Sequence, residues 1–337
     1  MIEEAILEAE RKGTKVVSLG LMNQGEELNM YGGLYVSKNP KLKVKIVDGS
    51  SLVVALLLNT IPKGTTQVLL RGKLNKVAYA IAFKLCQQGL KVTTMHEDDY
   101  VKLKKSFNGS EANLVIAKNY TQTVWLVGEG LTEEEQMKAE KGTLFIPYSQ
   151  FPAKKYRKDC SYHCTPAMLA PNSLENLHSC EDWLPRRVMS AWRIAGIVHS
   201  LEGWNEHECG YSMHNVDKGC TWIGSDPQAR GKIRKSDPNF ADPIRSEKLR
   251  DRIADLAKTS PLPLKAHTHP HPVVPTAVSP PVPPPSSLQE SSPFIVLSHL
   301  LLSNRPPHSS RLAATSSVHR RRLVSESSPH AVVFPGA

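Results

Sequence analysis

The chain has 337 residues, with 42 Lys and Arg against 32 Asp and Glu and six cysteines. That length allows two domains or one domain with an extension, six cysteines are too sparse for a disulfide scaffold, and no apolar run reaches the ~20 residues that a membrane-spanning helix needs. Residues 219–337 hold 15 Lys and Arg against 8 Asp and Glu, so most of the net +10 lies in a Pro- and Ser-rich stretch rather than on a folded face, and no nucleic-acid partner is expected.

The N-terminal MIEEAILEAERKG is charged and amphipathic without an apolar h-region, which predicts a helix over Ile2 to Arg11 and no signal peptide. Beyond it, short β-branched runs alternate with helical stretches. Strands are expected at Lys15 to Leu19, Val44 to Val47, Gln67 to Leu70, Leu90 to Thr94, Leu114 to Ala117, Val124 to Val127 and Thr143 to Ile146. Helices are expected at Ser51 to Asn59, Asn75 to Gln88, Glu97 to Lys105 and Thr132 to Lys141, the last opening on a capping box of Thr132 and Glu135. This alternation predicts an α/β, Rossmann-like, mainly parallel sheet with covering helices.

Residues 150–185 read as a long connection, and a helix is expected from about Pro185 to Leu201, stopped by Gly203. After Lys218 the alternation disappears. The expected organisation is one domain over residues 1–217, a weakly ordered linker over 218–259 with a weak helix around Ser246 to Ala257, and a disordered Pro/Ser/Arg-rich tail over 260–337.

VLLRGKLNKVAYAIAFKLCQQGLKV, residues 68–92, reads as strand, glycine turn, helix and strand, the first half of a dinucleotide-binding unit. The fingerprint glycines of a short-chain reductase would fall at Gly72, Lys76 and Ala78, so one of the three is present. Those residues are the candidate cofactor contacts: Lys76 either lends a charge to a phosphate or is solvated. A reductase also needs Tyr and Lys four apart, and the one such pair, Tyr100 and Lys104, comes directly after the second strand of the unit, too early for the nicotinamide position. Cys160, His163, Cys164, His207 and Cys209 lack the paired spacing of a zinc site, and no metal site is expected. From Glu181 to Tyr211, Trp183, Trp192 and Trp204 are expected to anchor a helix on the sheet. Arg186, Arg187, Arg193, Glu206, His207 and Glu208 are expected on its solvated side.

VVSLGLMNQGEELN, NPKLKVKIVDGSSL, IPKGTTQVLLRG, WLVGEGLTEEEQ, KGTLFIPYSQFP and EDWLPRRVMSAWRIAGIVHSLEGWNEHECGY resemble the C-terminal domain of the plant eceriferum family of very-long-chain aldehyde decarbonylases, over residues 1 to about 218. The resemblance implies a role in making cuticular wax alkanes at the endoplasmic reticulum. It also implies that iron is held by histidine clusters in a membrane-embedded, hydroxylase-like half with no counterpart in these residues. The expectation is an accessory domain facing the cytosol, not catalytic alone, without a cofactor of its own, acting beside other wax-biosynthesis proteins and only indirectly on very-long-chain lipids. The rivals are an NAD(P)H-dependent acyl or aldehyde reductase module and an interaction domain that docks wax-synthesis enzymes through Trp183 to Tyr211. An open basic pocket at the C-terminal end of the Gln67 to Leu70 strand favours the reductase, and a plugged one favours interaction.

Overall fold

The computed structural model describes residues 1–20, 25–107, 109, 112–151, 155–170, 181, 183–213, 215–224, 247–259 and 294–296. Two parallel sheets organise them. In the smaller, β1 (Val16–Ser18) lies beside β2 (Lys45–Val47), with α1 (Ile2–Arg11) packed on one face through Ile6 and Ala9 against Val17, Leu19 and Ile46. In the larger, β3 (Gln67–Arg71), β4 (Lys91–Thr94), β5 (Leu114–Ile116), β6 (Val124–Val127), β7 (Leu144–Pro147) and β8 (Ser161–Tyr162) form a six-stranded parallel sheet in the order β5-β4-β3-β6-β7-β8. The order reverses beside β3, the point at which doubly wound sheets open a crevice for ligands.

The pleat sorts side chains by parity. Val68, Leu70, Leu126 and Ile146 join the main core, while Leu69, Trp125, Val127, Phe145 and Tyr162 form a separate aromatic cluster. Both sets are buried, as expected for a parallel sheet whose strands read as continuous apolar runs.

Three helices fill the main core. α4 (Ser50–Thr60) is apolar on every side and buried from Ser50 to Leu57, so it is a core helix rather than a surface one. α5 (Lys76–Gln87) follows β3 and is capped by Asn75, whose Oδ1 accepts the Ala78 N–H at 2.9 Å. α8 (Ala191–Leu201) packs on β1, where Gly196 lets Ser18 approach: a Cβ on Gly196 would lie 2.5 Å from the Ser18 Cβ. The remaining early helices are α2 (Glu26–Asn29), α3 (Gly33–Lys38), α6 (Glu97–Ser106) and α7 (Glu133–Met137). Thr132 and Glu135 cap α7 reciprocally, but the helix stops four residues short of the expected Lys141.

Other departures have local causes. The helix expected from Pro185 begins at Ala191. Arg187 adopts φ 65° and breaks the path, and β10 (Val188–Ser190) pairs antiparallel with β9 (Ala167–Leu169) before the helix starts. α9 (Val216–Gly224) runs through the expected boundary at 217, burying Val216, Trp222 and Ile223 against the core. α10 (Glu247–Thr259) occupies the expected weak helix and buries Leu249 and Ile253 in that core, so packed structure extends into the segment read as a linker. Within the segment read as a tail, Phe294–Val296 form β11, parallel to β1; the rest of residues 260–337 lies outside the described residues.

Gly49 joins β2 to α4 with φ 81°, and a Cβ there would fall on the Trp192 carbonyl, 2.6 Å from its Cα. Gly64 has a similar φ of 85° with nothing within 4 Å of a Cβ. Gly64→Ala should therefore cost only the left-handed strain of about 1–2 kcal/mol. Gly49→Ala must also displace backbone, and overpacking adds about 1–3 kcal/mol. Chemical denaturation of the two variants checks this; equal losses would mean that α4 and α8 are not in backbone contact.

Candidate functional site

The crevice position at the sheet's order reversal is built from the turns that leave β3 and β6. Gly72, at φ 101°, ends β3 in a conformation that favours glycine, and a Cβ there would lie 2.7 Å from the carbonyl carbon of Gly128. The two turns are stitched together: the Lys73 N–H donates to Glu129 O at 2.6 Å and the Gly128 N–H to Arg71 O at 2.8 Å. Tyr148, just past β7, lays its ring where a Gly128 side chain would otherwise stand. Its hydroxyl sits 3.0 Å from Arg71 O and 3.2 Å from Lys73 O. The ring is fully buried, and burial raises the phenol's pKa above its ordinary value. Tyr148 thus occupies the space between the turns that leave β3 and β6.

The N-terminus of α5, which would cradle a pyrophosphate, is also engaged. The Lys76 N–H donates to the Tyr31 hydroxyl at 3.3 Å, and Asn75 takes the Ala78 N–H. The Lys76 ammonium is not solvated: it donates to Asp48 Oδ2 at 2.7 Å, with the side chains 4% and 0% exposed. The solvated reading of Lys76 is corrected on this point. Gly72 follows β3, Lys76 and Ala78 stand in the first turn of α5, and the Lys76 and Ala78 N–H groups and the Lys76 ammonium have internal partners.

Asp48 opens a buried polar chain that sequence reasoning missed. It ends β2, and its Oδ1 accepts the Ser50 N–H at 2.8 Å. Its own N–H donates to Glu208 O at 2.7 Å. The Glu208 carboxylate accepts the Ser51 N–H at 2.9 Å and meets His199 Nε2 at 2.6 Å. Asn215 Nδ2 lies 3.3 Å from the same ring nitrogen, and Trp204 packs edge-on against the imidazole. Asp48, Lys76, His199, Glu208 and Asn215 are all at least nine-tenths buried. Burial pushes the Asp48 carboxyl up to about 6, with Lys76 pulling the other way. For Glu208 burial also acts upward, but the hydrogen bonds from His199 and Ser51 and the nearby Lys76 charge outweigh it and hold the group below its ordinary value.

The charges of the Glu181 to Tyr211 segment are therefore not on one solvated side. Arg193 is 2% exposed beside buried Glu181, at 3.6 Å, and Glu208 faces inward. Trp192 packs in the main core as expected, with Trp204 against it. A further ion pair holds Arg71, at the end of β3, to Glu135, with Asp99 3.7 Å away.

The sulfur and imidazole candidates do not converge. Cys160 belongs to the aromatic cluster, and His163 and Cys164 line a cavity of about 20 Å³ beside α4, room for one water. His207 Nδ1 accepts the Ile46 N–H at 3.1 Å, and Cys209 packs with α1. Burial brings His163 down to about 4 and pushes Cys209 up to about 12, both favouring neutral forms. Among the described residues no three His, Cys, Asp or Glu side chains gather as metal ligands, so these residues do not fit an iron centre. Tyr100 and Lys104 lie along α6 with the ammonium 6.0 Å from the ring centre. No helix of the described residues is long and apolar enough to cross a membrane.

Lys76→Met should expose the dependence between the paired charges. Without the ammonium, burial and the Glu208 charge act on Asp48 against the Ser50 N–H alone, and its folded pKa climbs further above the unfolded value of 3.8. A raised carboxyl pKa destabilises progressively as pH rises toward it, so the variant should lose about 3–5 kcal/mol at pH 8 and clearly less at pH 5. Urea denaturation at both values checks this; a loss under about 0.5 kcal/mol at pH 8 would return Lys76 to the solvent.

Comparison with known proteins follows the same residues. Residues 68–223 match the family model described as CER1-like, C-terminal domain. The chain is 55% identical over 226 residues to the very-long-chain aldehyde decarbonylase CER1 of Arabidopsis thaliana, covering 66% of this chain and 36% of that protein. It is 57% identical over 220 residues to the very-long-chain aldehyde decarbonylase GL1-5 of Oryza sativa subsp. japonica, covering 65% and 35%. The chain thus spans about a third of the length of these relatives. Among solved structures, L-tryptophan dehydrogenase from Nostoc punctiforme aligns with a TM-score of 0.31 at 14% identity, covering 67% of this chain and 62% of that one. A likeness that slight carries no argument about the site. Residues 68–223 thus match a CER1-like C-terminal domain, and over about two thirds of its length the chain is similar to proteins named very-long-chain aldehyde decarbonylases.

Proposed function

We propose that this domain is an accessory module of a very-long-chain aldehyde decarbonylase-like protein of wax biosynthesis and does not catalyse alone. The decarbonylase chemistry named for the relatives would then belong to the two thirds of those proteins that this chain does not span. The domain would face the cytosol at the endoplasmic reticulum, beside other wax-biosynthesis proteins, and meet very-long-chain lipids only through them.

The observation that carries this reading is Tyr148. It fills the position where a doubly wound sheet admits a dinucleotide, and its hydroxyl lies within hydrogen-bonding distance of the two backbone carbonyls nearest that position. A cofactor at that position would have to displace a buried ring. The reductase alternative also requires Lys76 to leave a buried carboxylate, which an incoming phosphate must outcompete.

Calorimetric titration of the chain with NADPH and with NADH should show no saturable binding below about millimolar. Micromolar binding of either would overturn the accessory reading in favour of a reductase.

A further inference from the structure

The outer edge of β1 is a place where the fold needs a strand. β1 is covered by α1 through Val17 and by α8 at Ser18, and Val16, Val17 and Ser18 are at most 5% exposed. A strand buried on both faces with one open edge would leave N–H and C=O groups away from water without partners, and such an edge recruits whatever extended segment can reach it. Phe294–Val296 occupy that edge, parallel, with Val16 opposite Phe294, Val17 opposite Ile295 and Ser18 opposite Val296.

We propose that the β1 edge is a strand-docking site and that residues 294–296 of the same chain are its tethered occupant. The run PFIVL is β-branched and apolar within a stretch otherwise rich in Pro, Ser and Arg, so it is suited to a ladder and ill suited to folding where it stands. Residues 260–293 join it to α10 in the same chain, so the pairing is intramolecular and independent of protein concentration.

The register names the atoms. The Lys45 N–H donates to Lys15 O and the Leu19 N–H to Val47 O, so Lys15, Val17 and Leu19 turn their polar groups toward β2. Alternation in a parallel ladder then turns Val16 and Ser18 the other way. With Val17 opposite Ile295, the Ile295 N–H points at Val16 O and its carbonyl receives the Ser18 N–H.

Hydrogen exchange of the full chain separates these amides. In the unaltered chain both Val17 and Ser18 should be protected. Ile295→Pro removes the one N–H that faces β1, and Ser18 protection should fall at least about tenfold while Val17, bonded to β2, keeps its own and reports that the domain is folded. Ile295→Ala retains the N–H and should retain Ser18 protection. A peptide of residues 292–298 added at millimolar concentration should restore protection in the proline variant. Unchanged Ser18 exchange in Ile295→Pro would overturn the proposal, as would failure of the peptide to restore it. Ser18 protection that rises with protein concentration would assign the strand to a second copy and contradict the tethered occupant.

Discussion

A lysine ammonium and an aspartate carboxylate, 2.7 Å apart and out of contact with water, tie the small sheet to the large one. Asp48 ends β2, and Lys76 begins the helix that follows β3. Once both are buried, neither can be removed without stranding the other, so the relative setting of β2 and α5 is constrained by charge as well as by packing. The pair need not add net stability to have this effect. Burial acts upward on the Asp48 carboxyl and the Lys76 charge acts downward. What the pair contributes is position.

The same economy runs along the polar chain. Glu208 and His199 sit on and just beyond α8, yet their side chains meet the start of α4 through the Ser51 N–H. The Asp48 N–H also donates to Glu208 O, and the Glu208 N–H to Ile46 O, at the end of β2. The Trp-rich segment therefore meets the strand ends with buried polar groups. Together with Tyr148 in the crevice, this leaves a doubly wound sheet whose usual ligand positions are filled from within.

Elements whose identity depends on their own residues were legible in the sequence. The helix Ile2–Arg11, the capping box at Thr132 and the strands of the larger sheet up to β7 follow from periodicity and capping, which are local. Non-local features were not. Lys76 stands at a fingerprint position, and its nearest sequence neighbours give no sign of Asp48, 28 positions earlier, so it read as a phosphate contact or a solvated side chain. Arg193 and Glu208 read as surface charges because pattern alone reports that a residue is polar, not that Glu181 or His199 waits opposite it. Arg187 broke the expected helix by taking a left-handed conformation that an arginine does not advertise. α9 was lost because composition changes near Lys218, and the change was read as the end of packing.

A double-mutant cycle with Asp48→Asn, Lys76→Met and the two together measures most directly whether Lys76 belongs to the fold. If the two side chains are a buried pair, each single change strands the other partner and the double change is milder than their sum, with a coupling of about 2–3 kcal/mol. Additive losses, with a coupling under about 0.5 kcal/mol, would mean that Lys76 is free to serve a ligand and that the interior described here is not closed.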